Sequence, residues 1–364
     1  MIDFELGDEL ELVRKTARDY ADDHLRPGMR ENESARSLGA KAWELFGEIG
    51  FACLEWPERG EAGGLGALAH SLVLEELAAA DPGAALALEP LGAALYPLLE
   101  FGGEEAVLRY GEPLLTSPGA RSVLVWVGAG GRASLADQGK RVSGSVPWIP
   151  ADRVDSLILL DETRARVVRG GLEFRRVRGS GLRAAGASEV IFEGAEVVAE
   201  WEGEDEARRA LARARLHTAS LMLGVMREAC DYSRNYALDR VAFGRPIAHH
   251  QALAFLIADM ATALESARLL AWEAAWRLDT GLRADEACAT AFLEAAEQTA
   301  FIGPNGVQIL GGHGFMQDHP VEKFMRGGRS LSLLLGGVDT ARECAMRELA
   351  GTAGDVLLPL GDLS

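Results

Sequence analysis

Tyr236-Ala-Leu-Asp-Arg240-Val-Ala-Phe243-Gly244-Arg-Pro-Ile247-Ala-His-His250-Gln251 stands between two long helical stretches. Asp205 to Ala237 precedes it with few breakers; Ile247 to Asp279 and then Ala284 to Ile309 follow it in the same texture. Each predicts a helix well above the usual ~11–12 residues, and helices of that length pack as a bundle. The third runs into a second punctuated segment, Gln308-Ile-Leu-Gly311-Gly312-His-Gly314-Phe315, followed by Pro320-Val-Glu-Lys-Phe-Met-Arg326. Gly244 and Gly311-Gly312 permit tight turns and close approach of backbone to a ligand. Arg240 can offer a charged fork to a pyrophosphate, and Gln308 can add neutral hydrogen bonds to the same group. Taken singly, such features are ordinary: a glycine pair after a helix is usually a cap, and an arginine is usually a solvated or paired charge.

Upstream of the bundle the period changes. Between about Arg121 and Val198, short runs (SVLVWVG, KRVSGSV, VDSLILL, RARVVR, LEFRRVR, EVIFEG) are rich in Val, Ile and Leu and punctuated by glycine and polar residues. They predict a small antiparallel sheet or barrel, entered through a Ser117-Pro118-Gly119 linker. Further upstream, Leu6, Leu10, Val13, Ala17 and Tyr20 recur at three- and four-residue steps, the mark of one helix face. That helix stops at Arg26-Pro27-Gly28; Ala40 to Ile49 and Ala67 to Ala80 predict two more, and Asp81-Pro82 reads as an N-cap with proline in the first turn. The expected organisation is an N-terminal helical domain (1–118), a β domain (119–204) and a C-terminal four-helix-bundle-like domain (205–364).

The 364 residues suffice for two or three domains with a large core. A formal charge of −18 disfavours nucleic acid and anionic membranes as partners, while leaving room for a local basic pocket. The start, MIDFELGDEL, lacks the basic and apolar regions of a signal peptide, and no run approaches the roughly 18 apolar residues of a membrane helix. Cys53, Cys230, Cys288 and Cys344 lie far apart without a CxxC pair. They read as buried structural thiols with no disulfide or zinc role, in keeping with a reducing cytoplasm.

The two glycine-bearing segments resemble motifs of the acyl-CoA dehydrogenase family: a tyrosine-to-glutamine stretch running through Arg-x-x-Phe-Gly, and a QxLGGxGF motif with the helix after it. Their separation and the order helices, β domain, bundle are also similar. The resemblance implies an acyl-CoA substrate, FAD as cofactor, a tetramer, and an electron-transfer flavoprotein as acceptor. It assigns Arg240, Phe243, Ile247, His250, Gln251, Gln308, Gly311 and Gly312 to an FAD held mainly by a neighbouring subunit, and Arg215 to the substrate.

The family's catalytic glutamate lies in a Tyr-Glu-Gly-Thr stretch. Counting without gaps from Arg326, that stretch is Leu334-Leu335-Gly336-Gly337, so the base position holds Leu335. The position used for the base by other members, one residue before an arginine, holds Ala214 beside Arg215. Asp339 is the nearest acid, but it sits beside Thr340-Ala-Arg-Glu343, whose preferred reading is a capping box opening the last helix. In the β domain the family's Thr-Glu-Pro-x-Ala-Gly-Ser type segment is replaced by Val125-Trp126-Val-Gly128-Ala-Gly130-Gly131. Trp148 resembles a flavin-side residue and equally suits a core.

No catalytic residue is therefore assigned. The pattern resembles the non-catalytic chain of heteromeric acyl-CoA dehydrogenases, including those acting on steroid side chains, in which a second acyl-CoA dehydrogenase-like subunit brings the base and room is left for a bulky acyl group. A self-sufficient homotetramer with a non-standard base and a non-redox scaffold of the same fold are the alternatives. A metal-binding bundle would draw on Glu265, Glu273, Glu294 and Glu297. No Glu-x-x-His occurs on those helices, so solvated glutamates are the preferred reading and no metal is expected.

Overall fold

The computed structural model of the chain describes residues 5–56 and 64–351, side chains of 348–351 excepted. The first four residues of the acidic start lie outside that range. Among the described residues six α-helices come first: α1 (Asp8–His24), α2 (Met29–Ala35), α3 (Ala40–Ile49), α4 (Gly66–Ala80), α5 (Pro82–Leu88) and α6 (Leu95–Leu115). The sequence pattern finds α1, α3 and α4 and misses the seven-residue α2, which is too short for a hydrophobic period. Asp81 caps α5 as expected, its Oδ1 accepting from the Gly83 and Ala84 amides at 3.0 and 3.2 Å.

The strands are β1 (Ser122–Trp126), β2 (Ser134–Asp137), β3 (Arg141–Ile149), β4 (Ser156–Leu160), β5 (Arg164–Arg169), β6 (Leu172–Arg176) and β7 (Ser188–Glu202). The sheet runs β1-β4-β5-β7-β3-β2, with β6 also on β7. The expectation of a purely antiparallel sheet needs correction: β1 pairs with β4 in parallel, Ser122 opposite Ser156 through Trp126 opposite Leu160. The connection between them contains the β2–β3 hairpin, long enough for a parallel crossover. β2 was not foreseen, its Ser-Leu-Ala-Asp being mostly exposed. Gly170 and Gly171, at φ 65° and 58°, interrupt the run in which β5 and then β6 pair antiparallel with β7.

The bundle holds α7 (Glu204–Asp239), α8 (Gln251–Asp279), α9 (Asp285–Leu310), α10 (Val321–Leu331) and α11 (Gly337–Gly351). Between α7 and α8 lies a short hairpin, β8 (Val241–Ala242) and β9 (Arg245–Pro246). The helix expected from Ile247 instead begins at Gln251, after a 3₁₀ turn over Ile247–His249. α11 begins at Gly337, so Thr340 lies inside it and the capping-box reading fails; Thr340 Oγ1 donates to the Gly336 carbonyl at 3.0 Å. Of the cysteines only Cys288 is fully buried; all four are free thiols.

Packing joins the N-terminal helices to the bundle. A Cβ on Gly224 of α7 would stand 2.3 Å from the Glu75 carbonyl of α4, so glycine sets how closely these helices approach. Glu76 of α4 takes Arg18 of α1 at 2.8 Å and Arg227 of α7 at 2.7 Å. Deepest of these ties is Lys323 of α10, whose Nζ meets Asp81 Oδ2 at 2.6 Å with both side chains nearly sealed. Removing one partner of such a pair strands the other. Lys323→Met is expected to lower the unfolding free energy by about 3–5 kcal/mol in urea titrations. Adding Asp81→Asn, which can still cap α5, should recover part of it; a loss under about 1 kcal/mol would contradict the pairing.

Candidate active site

The turn from α10 to α11 brings Leu335 to the wall of a cavity of about 290 Å³ beneath the sheet. Leu335, Gly336 and Gly337 have φ of 56°, 84° and 73°. Two glycines enter the left-handed region freely, whereas leucine does so at a cost of roughly 1–2 kcal/mol. Retaining that conformation under leucine indicates a backbone shape fixed by its surroundings. Leu335 is 7% exposed. Leu86, Leu91, Trp126, Trp148 and Leu334 supply much of the remaining apolar wall. Trp148 thus serves the cavity as well as the core. Asp339 does not line the cavity, and its side chain is fully exposed.

The Val125–Gly131 segment closes one side. Trp126 Nε1 donates to the Ala129 carbonyl at 2.8 Å, and the Ala129 amide donates to Glu162 at 2.6 Å. A Cβ on Gly130 would meet Thr340 Oγ1 at 2.3 Å, so α11 packs directly on this turn.

Among the described residues Glu89 is the one carboxylate on the cavity wall, and it is fully engaged. Its Oε1 lies 2.7 Å from His70 Nε2 and its Oε2 2.7 Å from His217 Nε2. His70 Nδ1 reaches Glu55 at 2.7 Å; Tyr96 Oη and Arg213 Nη2 donate to Glu55 at 2.8 and 2.6 Å. Burial alone would neutralise these groups. For His70 burial is outweighed by the Glu89 charge and by the hydrogen bonds it donates to both carboxylates, and the ring is pushed up to about 10. Glu55 is likewise held down at about 2 against burial, chiefly by the His70 hydrogen bond and the Arg213 charge. Glu89 is held ionised against burial by the charges of His217 and His70. His70, Glu89 and His217 stand close enough to hold a metal ion. Both nitrogens of His70 already serve carboxylates, which marks the trio as an ion-pair network. The sequence reading missed it; its only signal was a histidine in each of two largely apolar helical stretches and Glu89 in an apolar run.

Arg215 does not line the cavity. It is 2% exposed in α7, and its Nε and Nη2 have no hydrogen-bond partner among the described residues, so the structure does not bring it together with the cavity residues. The glutamates considered for metal are engaged elsewhere: Glu265 with Arg268, Glu273 with Arg277, Glu294 with Gln298 and Glu297 with Arg342.

The second group of predicted residues forms a surface. Phe243 (φ 53°) and Gly244 (φ 79°) make the β8–β9 turn, and Phe243 is 95% exposed. His250 pins the hairpin, its Nε2 reaching the Ala242 carbonyl at 3.2 Å. Ile247 is half-buried against the bundle core, and Gln251 is exposed at the start of α8. Tyr236 Oη bonds His313 Nδ1 at 2.7 Å, tying the two motifs together. Arg240 shares an open groove with Tyr236, His313 and His319. Its side chain has no ion pair among the described residues. Gln308, Gly311 and Gly312 are exposed at the end of α9, and nothing lies within 4 Å of a Cβ built on either glycine.

Residues 7–117 match the description "Acyl-CoA dehydrogenase, N-terminal domain" and residues 179–350 match "Acyl-CoA dehydrogenase, C-terminal domain". The chain belongs to the acyl-CoA dehydrogenase family. It is 29% identical to the mitochondrial short-chain specific acyl-CoA dehydrogenase of Bos taurus, covering 93% of this chain and 89% of that one. It is also 29% identical to the benzylmalonyl-CoA dehydrogenase of Aromatoleum aromaticum, over 92% and 96%. A chain solved in work on the electron transferring flavoprotein of Acidaminococcus fermentans superposes with TM-score 0.83 at 27% identity, over 96% and 99%. The butyryl-CoA dehydrogenase of Megasphaera elsdenii shares the fold, with TM-score 0.84 at 22% identity, over 96% and 100%.

The family's cofactor is FAD, and the surface around Arg240 suits part of it: an unpaired cation, an exposed amide and two open glycines match a diphosphate.

The buried network has a pH signature. His70 rises from an ordinary 6.5 to about 10, so its contribution is complete below pH 6.5 and lost as pH rises through 10. Glu55 falls from 4.5 to about 2, so its contribution is complete above pH 4.5 and lost as pH falls through 2. The wild type should melt at higher temperature than His70→Gln at pH 6, and the gap should narrow steadily toward pH 10. A gap constant with pH would contradict a charged His70.

Proposed function

We propose that the chain is an FAD-binding subunit of an acyl-CoA α,β-dehydrogenase and that its own cavity lacks the catalytic carboxylate, which a second acyl-CoA dehydrogenase-like chain supplies in a mixed tetramer. The observation that carries this reading is Leu335, which lines the cavity with an alkyl side chain and falls where the motif count puts the family's base. Glu89, the acid that does reach the wall, is ionised but spent on two histidines. Bound FAD would accept the hydride from the β carbon, and an electron-transfer flavoprotein would take the electrons onward. In this chain Trp126, Trp148 and Leu335 exclude water from the reacting region, which strengthens every electrostatic interaction there. Arg240, Gln308, Gly311 and Gly312 hold the diphosphate of a cofactor seated mainly on the neighbour, with Phe243 and Gln251 beside it.

A volume of about 290 Å³ is at the lower edge for a small-molecule site. A bulky, steroid-like acyl group would therefore extend across the subunit boundary, where an assembly with fewer flavin beds than chains leaves room. Exposed Phe243, Phe315, Val241 and Phe255 supply apolar surface for such an interface. Light scattering should give a defined oligomer; a monodisperse species near 38.9 kDa would contradict the assembly.

Arg240 gives the direct test of the cofactor role. A charged hydrogen bond is worth about 1.5–3 kcal/mol. Arg240→Ala, co-expressed with the partner chain, should retain flavin about ten- to a hundredfold more weakly at nearly unchanged melting temperature. Full flavin content would overturn the role, and equal loss of flavin and fold would make Arg240 structural.

A further inference from the structure

Two arginines line the cavity, and neither has an acidic partner for its side chain among the described residues. Arg121 is 5% exposed. Its Nη1 donates to the Leu86 carbonyl at 3.2 Å, and its Nη2 donates to the Pro150 and Ala185 carbonyls, both at 2.6 Å. These neutral acceptors hold the guanidinium in place without cancelling its charge. The acids around it are committed elsewhere. Asp155 Oδ2 accepts from the Arg121 backbone amide at 2.9 Å, and Asp152 holds Arg36 and Arg176, each at 2.6 Å. Burial pushes Arg121 down to about 10, opposed only by the charge of Asp152 through space. A guanidinium offers more N–H donors than those bonds use. Its Nε has no partner among the described residues and, unlike the Nε atoms of Arg166 and Arg213, is not sealed.

Arg132 stands on the same wall, exposed. The turn before it is held to one shape. The Gly131 amide donates to the Gly128 carbonyl at 2.9 Å, and a Cβ on Gly131 would lie 2.8 Å from the Gly128 and Trp126 carbonyls. The wall's carboxylate, Glu89, has both oxygens taken by His70 and His217. A chain with a formal charge of −18 thus keeps a buried, uncancelled positive charge beside an apolar cavity. Such a charge is costly to bury alone, and its pull on an anion is strongest where water is excluded. A carboxylate fits: it brings a single negative charge and only accepts hydrogen bonds. A phosphate brings about −1.5 to −2, with more bound water than leucines and tryptophans can replace.

We infer that Arg121 is a buried subsite for a carboxylate carried on the acyl group, with Arg132 drawing the anion in, so that this cavity prefers acyl-CoA thioesters of dicarboxylic acids to their uncharged counterparts. The inference rests on the acyl-CoA reading above. It gives the carbonyls of Leu86, Pro150 and Ala185 a second role: they fix where the guanidinium stands while leaving its charge for the ligand.

The test is calorimetric titration of the full chain with succinyl-, glutaryl- and adipoyl-CoA, each against butyryl-, pentanoyl- or hexanoyl-CoA of the same length. At least one dicarboxylic thioester should bind wild type about tenfold tighter than its uncharged counterpart. Arg121→Gln should bring that ratio to within about twofold, and Arg121→Lys, which keeps a cation, should keep part of it. Arg132→Gln should lower the ratio without removing it. No advantage for any pair, or one that survives in Arg121→Gln, overturns the subsite. So does equal weakening of charged and uncharged thioesters in Arg121→Gln, which would place the arginine on the phosphates of coenzyme A. Should Arg121→Gln fail to fold, ¹³C NMR of the carboxylate in the favoured thioester bound to wild type decides. Its titration should fall below that of the free ligand; an unchanged titration overturns the proposal. Failure of every thioester to bind sinks the acyl-CoA reading instead. Octanoate against octanol then tests the subsite: a preference for octanoate that Arg121→Lys weakens upholds it, and no preference overturns it.

Discussion

A carboxylate sealed from water must be paired, and Glu89 is paired by histidines from two different helices. His70 comes from α4 and His217 from α7, while Glu55 and Arg213 extend the network and Tyr96 adds α6. None of these groups could be buried alone, because each isolated charge would cost several kcal/mol. Together they fix how the N-terminal helices seat on the bundle and therefore the shape of the cavity between bundle and sheet. Asp81 with Lys323 repeats the device where α5 meets α10. The approach of α4 to α7 at Gly224 lets both ties close.

On this frame α7 serves two sites. Its middle carries Arg213 and His217 toward the network and the cavity, and its end delivers Arg240 to the surface. One helix thus joins the wall of the cavity to the surface around Arg240. The β8–β9 hairpin, with Phe243 at its tip, projects from the same end and has few internal contacts to hold an aromatic ring in water.

Much of this was legible in the sequence where period and punctuation are local. Long unbroken runs gave α7, α8 and α9 to within a few residues, and Gly244 gave its turn. The parallel pairing of β1 with β4 was not legible, because alternation in a strand carries no information about its partner's direction. The capping box at Asp339 failed because three successive left-handed residues, starting at Leu335, begin α11 earlier than the Thr340 pattern implies. Arg215 looked like a ligand residue by position beside Ala214; which way a buried side chain turns depends on packing between helices. The Glu55–His70–Glu89–His217 network escaped because its members are spread over well over a hundred positions and each looks unremarkable among its neighbours.

The central claim is that flavin and thioester meet in a site from which this chain's own base is missing. Anaerobic absorbance of the flavin-loaded mixed assembly, its partner chain carrying glutamine in place of its own base, on addition of acyl-CoA, tests it most directly when this chain is wild type or Leu335→Glu. A positioned general base contributes ~10²–10⁴-fold. The account predicts that wild type shows a spectral shift on binding without bleaching, and that Leu335→Glu bleaches. Rapid bleaching of that assembly with the wild-type chain, unchanged with Leu335→Glu, would show that another residue takes the proton and would contradict the account.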